Sequence, residues 1–424
     1  MAVAVAAATS TLLGTTASAE SSSGTGWDIR TSILYYGESD DRVEDLSLSI
    51  RAERTSESGQ SFVFGVTTDS LTGATPTGAV LGAATADQPQ TFTRPSSRGT
   101  YVATPGEVPT DDSFKDTRIA GNVSLRQPFA ESWAVTFGLT YSDEYDYSHV
   151  GANASISREF NRKNTVINLG TSYANDEIYP EGGVPYPLSP MRLIGDDTSK
   201  LGRTEDKEVV DFLIGVTQVI DVRTIAQLNY SYSYIEGYQT DPYKILTVLD
   251  DATGMPVPGL DPGLFLYRFE SRPYERTKHS LFAKIKRAMG KGIFDVSYRY
   301  MTDDWGIDSH TVDSHYRFAL TPRQYLEPHL RYYRQSEADF FRTNLLVSEP
   351  LPWRASADYR LAEFTGLTVG LKYGFRFSDT SEMSVRVEWY AQSGNSKLEG
   401  VPLSTNVFPD LDAGIVQLNY RFRL

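Results

Sequence analysis

The chain has 424 residues, a formal net charge of −14 and no cysteine. The charge excludes the basic face that nucleic-acid binding needs, and the missing thiols exclude a disulfide framework or a thiolate metal site. Mean hydropathy is negative and no long apolar run follows residue 20, which excludes a bundle of membrane helices. It leaves two classes: a soluble acidic β-protein, or a membrane barrel in which polar residues dilute the lipid-facing ones one to one.

Residues 1–19 read as an export signal, with an Ala-rich apolar stretch from Ala2 to Gly14 and Ala17-Ser18-Ala19 before Glu20. The basic segment expected ahead of it is missing, which points to a start upstream or a trimmed sequence. Residues 20–26 read as a periplasmic leader and residues 27–424 as one barrel. The strand pattern is clearest at Trp133-Ala134-Val135-Thr136-Phe137-Gly138-Leu139-Thr140-Tyr141, where large apolar side chains occupy every second position. It recurs from Ala226 to Tyr234 and from Leu367 to Phe377. The spacing predicts sixteen strands, near 27–36, 43–54, 61–69, 118–127, 133–142, 149–158, 165–173, 208–220, 224–236, 279–288, 293–302, 308–320, 325–335, 366–377, 382–392 and 411–424. The 26 tyrosines suit interfacial girdles.

Connections alternate between short turns, such as Glu57-Ser58-Gly59 and Thr321-Pro322-Arg323-Gln324, and long stretches near 70–116, 175–206, 237–278, 336–365 and 393–410. Short periplasmic turns and long outer loops are the pattern of an all-β transmembrane antiparallel up-and-down β-barrel. Residues 355–363 could form a further strand. Parity assigns them to an outer loop, because an odd count would put the two ends on opposite sides. The chain closes on Gln417-Leu418-Asn419-Tyr420-Arg421-Phe422-Arg423-Leu424. This resembles the C-terminal signal of bacterial outer-membrane barrels, with Leu in place of the usual terminal Phe, and implies handling by the barrel-assembly machinery.

The inward positions of the early strands are small and neutral. Those of the later strands are basic: Lys284, Lys286, Arg299, Arg317, Arg331, Lys372, Arg376 and Arg386, with His315 and His329, against the carboxylates Asp295, Asp313 and Glu388. A lumen wall of this kind biases a pore toward anions; if each Arg pairs with a carboxylate it only stiffens the wall. The outer rim is acidic, with Asp40-Asp41, Asp111-Asp112, Asp143-Glu144, Asp176-Glu177, Asp196-Asp197, Asp250-Asp251 and Asp303-Asp304. These predict solubility and contact with lipopolysaccharide through divalent cations. Asp303-Asp304-Trp305-Gly306-Ile307-Asp308-Ser309-His310 is a candidate hydrolase tip, read more simply as a solvated hairpin. No catalytic residue, cofactor or metal-spaced histidine pair is predicted.

Several loop motifs are more specific. They include Asp69-Ser70-Leu71-Thr72-Gly73-Ala74-Thr75-Pro76, Phe114-Lys115-Asp116-Thr117-Arg118, and Gly237-Tyr238-Gln239-Thr240-Asp241-Pro242-Tyr243-Lys244. The others are Pro89-Gln90-Thr91-Phe92-Thr93, Lys163-Asn164-Thr165, Arg272-Pro273-Tyr274-Glu275-Arg276, Tyr298-Arg299-Tyr300 with Asp303-Asp304-Trp305, and Arg331-Tyr332-Tyr333-Arg334-Gln335. Together they resemble a bacterial family known only as a domain of unknown function and treated as outer-membrane barrels. The resemblance implies that fold, location in the outer membrane of a Gram-negative bacterium, and a setting beside periplasmic flavin transferases and thioredoxin-like proteins. It supplies no catalytic residues. Physically, Pro242 holds Asp241 extended, and the charged aromatic segments suit loops that dock on one another to cap the pore. The expected function is a porin-like channel for small polar solutes or ions. A non-conducting, loop-capped receptor or scaffold, linked to a redox or metal-handling system, stands second and a rim hydrolase third. Oligomeric state is not readable.

Overall fold

The computed structural model describes residues 26–39, 42–73, 76–80, 89–94, 99–103, 109–111, 114–192, 200–261, 263–402 and 406–424. The expected signal and leader segments lie outside these residues apart from Gly26, as do Asp40-Asp41, Asp112, Asp196-Asp197, Ala74 and Thr75.

Sixteen antiparallel strands close into one barrel. They are Trp27–Glu38, Glu44–Thr55, Ser61–Thr72, Lys115–Ala130, Trp133–Asp143, Tyr147–Phe160, Thr165–Ile178 and Glu205–Asp221. The second half comprises Thr224–Gly237, Glu275–Met289, Gly292–Asp303, Asp308–Thr321, Gln324–Gln335, Phe364–Arg376, Ser381–Gly394 and Leu411–Arg423. Each strand pairs with its sequence neighbours, and the last pairs with the first from Asp28↔Arg423 to Glu38↔Ala413. Closure leaves no edge strand for the lipid to meet. Asp28 pins the seam: it accepts hydrogen bonds from Arg421 at 2.9 Å and Arg423 at 3.1 Å.

Dyad alternation sorts the faces as expected. Phe137, Leu139 and Tyr141 are exposed on the outside, while Gly138 between them and Ala134 and Ser142 to either side are buried. Many strands are longer than expected, as with Lys115–Ala130 against 118–127, because pairing continues beyond the apolar belt. Residues 355–363 form no barrel strand; a 3₁₀ turn, Tyr359–Leu361, lies there.

The long loops fold against one another. Tyr267–Phe269, Ile245–Leu249 and Leu345–Leu346 make a small sheet that joins two loops. Phe92, Tyr101, Met191, Ile245, Tyr267 and Phe269, drawn from three loops, share one buried cluster. The cap also grips the inner wall. Gln335 donates to the carbonyl oxygens of Arg360 and Ala362 at 3.0 and 2.8 Å. Opposite it, Tyr147 and Ile178 at the strand ends pack with Val184 and Tyr238 of the loops.

Candidate functional site

The lumen wall is set by register. Lys286 faces Asp295, which faces His315, which faces His329; beyond Gly370 the row ends at Glu388. Opposed residues in antiparallel strands share a face, so the row lies on one wall. Four of the eight expected lysines and arginines on this wall form ion pairs. Lys284 meets Asp295 at 2.9 Å, Arg317 meets Glu327 at 2.6 Å and Arg376 meets Glu382 at 3.2 Å. Arg386 lies 3.6 Å from Glu388 and 3.9 Å from Glu327. Glu327 and Glu382 were absent from the expected inward carboxylates, so the wall is less basic than the sequence reading held. Arg299 and Arg331 make no ion pair among the described residues; the Arg299 guanidinium sits 5.6 Å from the Phe282 ring centre. Lys372 opposes both Glu327 and Arg386 across the sheet.

At the centre of this row the imidazoles of His315 and His329 stack with ring centres 4.1 Å apart and planes within 4°. Asp313 lies between their Nε2 atoms, 3.0 Å from His315 and 3.1 Å from His329. His329 Nδ1 contacts Glu388 at 2.7 Å. No histidine pair is metal-spaced in the sequence, yet two residues fourteen apart meet because they oppose each other across one hairpin. The structure thus assembles a compact group with potential metal ligands where none was predicted from spacing.

The family-motif residues build the cap and its rim. Arg118 Nε donates to Asp69 at 2.6 Å across paired strands. Gly73 has φ +77° and an added Cβ would lie 2.0 Å from the Arg42 carbonyl oxygen, so only glycine fits. Asp116 accepts from the Thr117 and Tyr145 amides at 2.7 and 3.3 Å, and the Tyr243 hydroxyl accepts from the Glu181 amide at 2.9 Å. Asp303 receives Arg276 Nε at 2.9 Å, Asp304 receives the Thr277 amide at 2.9 Å, and Trp305 Nε1 donates to the Glu275 carbonyl at 2.9 Å.

Deeper in the cap lies a buried charge network. Arg360 bridges Asp241 at 2.8 Å and Asp358, whose two oxygens receive its Nε at 2.9 and 2.8 Å. Arg272 bridges Asp358 at 2.8 Å and Glu270 at 2.6 Å. Burial opposes charge on Asp358, but Arg360 and Arg272 outweigh it and hold the carboxyl far below its usual range. Burial instead raises Glu270 and lowers Lys244. Beside this network a cavity of about 220 Å³ is lined by Asp116, Glu144, Asp146, Asp241, Lys244 and Arg360, among others. Burial pushes the Asp146 carboxyl up to about 6.

The candidate hydrolase tip does not assemble. Ser309 and His310 are consecutive strand residues and point to opposite faces. Ser309 is buried, while the His310 ring bonds the exposed Tyr298 hydroxyl at 2.7 Å. Sequence reasoning missed another polar chain, Thr140–His149–Asp176, with contacts of 3.1 and 2.6 Å. Lys207 at 2.9 Å and the Tyr147 hydroxyl complete the partners of Asp176. Elsewhere on the acidic rim, Asp250 is used locally to cap its own turn through the Ala252 and Thr253 amides.

The model of the family described as protein of unknown function (DUF3570) matches residues 2–422. The chain belongs to this family. The DUF3570 match thus takes in the whole barrel but for its final residues. No curated protein matches. Among solved structures, the chain is similar to the siderophore receptor PirA from Acinetobacter baumannii, at 9% identity and a TM-score of 0.44, covering 93% of this chain and 60% of that one. A ferric enterobactin receptor (PfeA) from Pseudomonas aeruginosa matches at 11% identity and a TM-score of 0.43, with 92% and 59% covered. OmpT, an outer membrane protein of Vibrio cholerae, matches at 10% identity and a TM-score of 0.40, with 95% and 99% covered. The chain thus spans about three fifths of the length of the two receptors.

Proposed function

We propose that this protein is a gated channel of the Gram-negative outer membrane, passing small polar solutes or ions when its loop cap yields. The observation that carries this reading is the cap itself. Several outer loops share a buried apolar cluster and a buried ion network, and Gln335 and Tyr147 fasten them to the inner wall at opposite sides of the mouth. Loops that only decorate a rim have no reason to bury Lys244, Glu270 and Asp358. An apolar outer belt, short turns on one side and long loops on the other support the membrane setting. The C-terminal strand is the segment that assembly machinery would engage, and the acidic rim would meet lipopolysaccharide through divalent cations.

The cavity beside Asp241 supports a second reading, a non-conducting receptor that holds a ligand in its cap. Conductance in planar bilayers separates the two. A gated channel opens when the cap is loosened by truncation of residues 243–270, whereas a receptor whose lumen is blocked elsewhere stays silent.

A further inference from the structure

We propose that Asp313, His315 and His329 form a binding site for a divalent transition-metal ion on the lumen wall. Each of these residues offers a ligand atom, and those atoms all lie within 4.8 Å of one another. A tetrahedral ion with bonds near 2 Å holds its ligands roughly 3.3 Å apart, so the two rings must tilt out of their parallel stack for both Nε2 lone pairs to point at one ion. The donors are two imidazoles and a carboxylate, which suits zinc, copper, nickel or ferrous ions and not calcium or magnesium.

The surroundings match what metal-bound imidazoles need. Both Nε2 atoms already face one carboxylate, that of Asp313. An ion placed among these three atoms displaces the protons held there and leaves hydrogen on each Nδ1. His329 Nδ1 then donates to Glu388 at 2.7 Å. His315 Nδ1, which is buried with no hydrogen-bond partner among the described residues, lies 3.9 Å from Glu327. A carboxylate behind each ring is the arrangement that fixes a ligand's tautomer and strengthens its bond to metal. Glu327 and Glu388 are themselves held by Arg386, so the outer groups are oriented before any ion arrives. The remaining position of the ion would face the lumen, open to water or to a passing anionic solute.

The test uses the full barrel, refolded in detergent and stripped with a chelator, titrated with Zn²⁺ alone by calorimetry and with Cu²⁺ by electron paramagnetic resonance. One equivalent binds, and the copper spectrum shows nitrogen coupling. His315→Ala, His329→Ala and Asp313→Asn each weaken binding by about 10-fold or more, and Glu388→Gln by about 10-fold. His279→Ala and His310→Ala, whose rings bond tyrosine hydroxyls at 2.7 Å elsewhere on the barrel, leave it unchanged. Heat-modifiable gel mobility confirms that each variant is folded, and His315→Gln replaces any Ala variant that is not. Absence of stoichiometric binding in the parent protein, or affinity unchanged in the folded His315→Gln/His329→Gln double variant, would overturn the assignment.

Discussion

Arg360 and Asp241 meet at 2.8 Å although 119 residues separate them in sequence. Their contact ties the loop that follows Gly237 to the loop that precedes Phe364, and Asp358 and Arg272 extend the tie to Glu270. Removing one partner from a buried network of this kind leaves the others charged and unpaired, at a cost of about 3–5 kcal/mol. Arg360→Ala should therefore release the cap locally while the barrel stays closed. Limited proteolysis of intact cells checks this: new cleavage in 238–274 and 336–363 is expected, with unchanged heat-modifiable mobility of the barrel.

Trp305 is a second fastening. Its ring is buried, meets Phe340 edge-on at 5.1 Å and lies 4.2 Å under the Arg276 guanidinium. Trp305→Ala should cost about 3–5 kcal/mol of local stability and free the segment around Phe340. Hydrogen exchange read by mass spectrometry should show faster exchange at Ala338 and Phe341, whose amides donate to Leu361 and Ala338 carbonyls, and little change in the strands.

Cap stability should rise on mild acidification. The Asp146 carboxyl is pushed by burial, and by Asp116, Asp241 and Glu144 nearby, from 3.8 to about 6, against the bond from Tyr243. Glu144 shifts the same way, again through burial. A carboxyl whose folded pKa is raised destabilises the fold above that value, and the cost is relieved as pH falls from about 6 toward 3.8. Asp241 and Asp358 are held low, so their contribution is lost only as pH falls through and below the ordinary carboxylate range. Between pH 7.5 and pH 5 the cap should thus become more resistant to an acid-tolerant protease. Asp146→Asn with Glu144→Gln should flatten that dependence.

The strands were legible because alternation at single-residue resolution is what a two-faced sheet requires, and the run from Trp133 to Tyr141 shows it without interruption. The histidine pair was not. A simple two-residue turn at Pro322-Arg323 sets Gln324 opposite Thr321, and carrying that register up the hairpin would place His315 opposite Leu330. A bulge between Ala319 and Thr321 shifts the pairing by one and brings His329 across instead. Nothing in the sequence announces that bulge. Glu327 was overlooked although it shares the parity of His329, the one available signal. The cap network was invisible for another reason: Arg272 and Asp358 lie 86 residues apart, and loop docking has no period to read.

The most direct measurement is the conductance of the intact barrel in a planar bilayer, compared with a version in which residues 243–270 are replaced by a short Gly/Ser linker. A lumen shut by its loops predicts a near-silent parent and large steady steps from the truncated form. Sustained open-pore conductance from the intact protein, unchanged by the truncation, would contradict it.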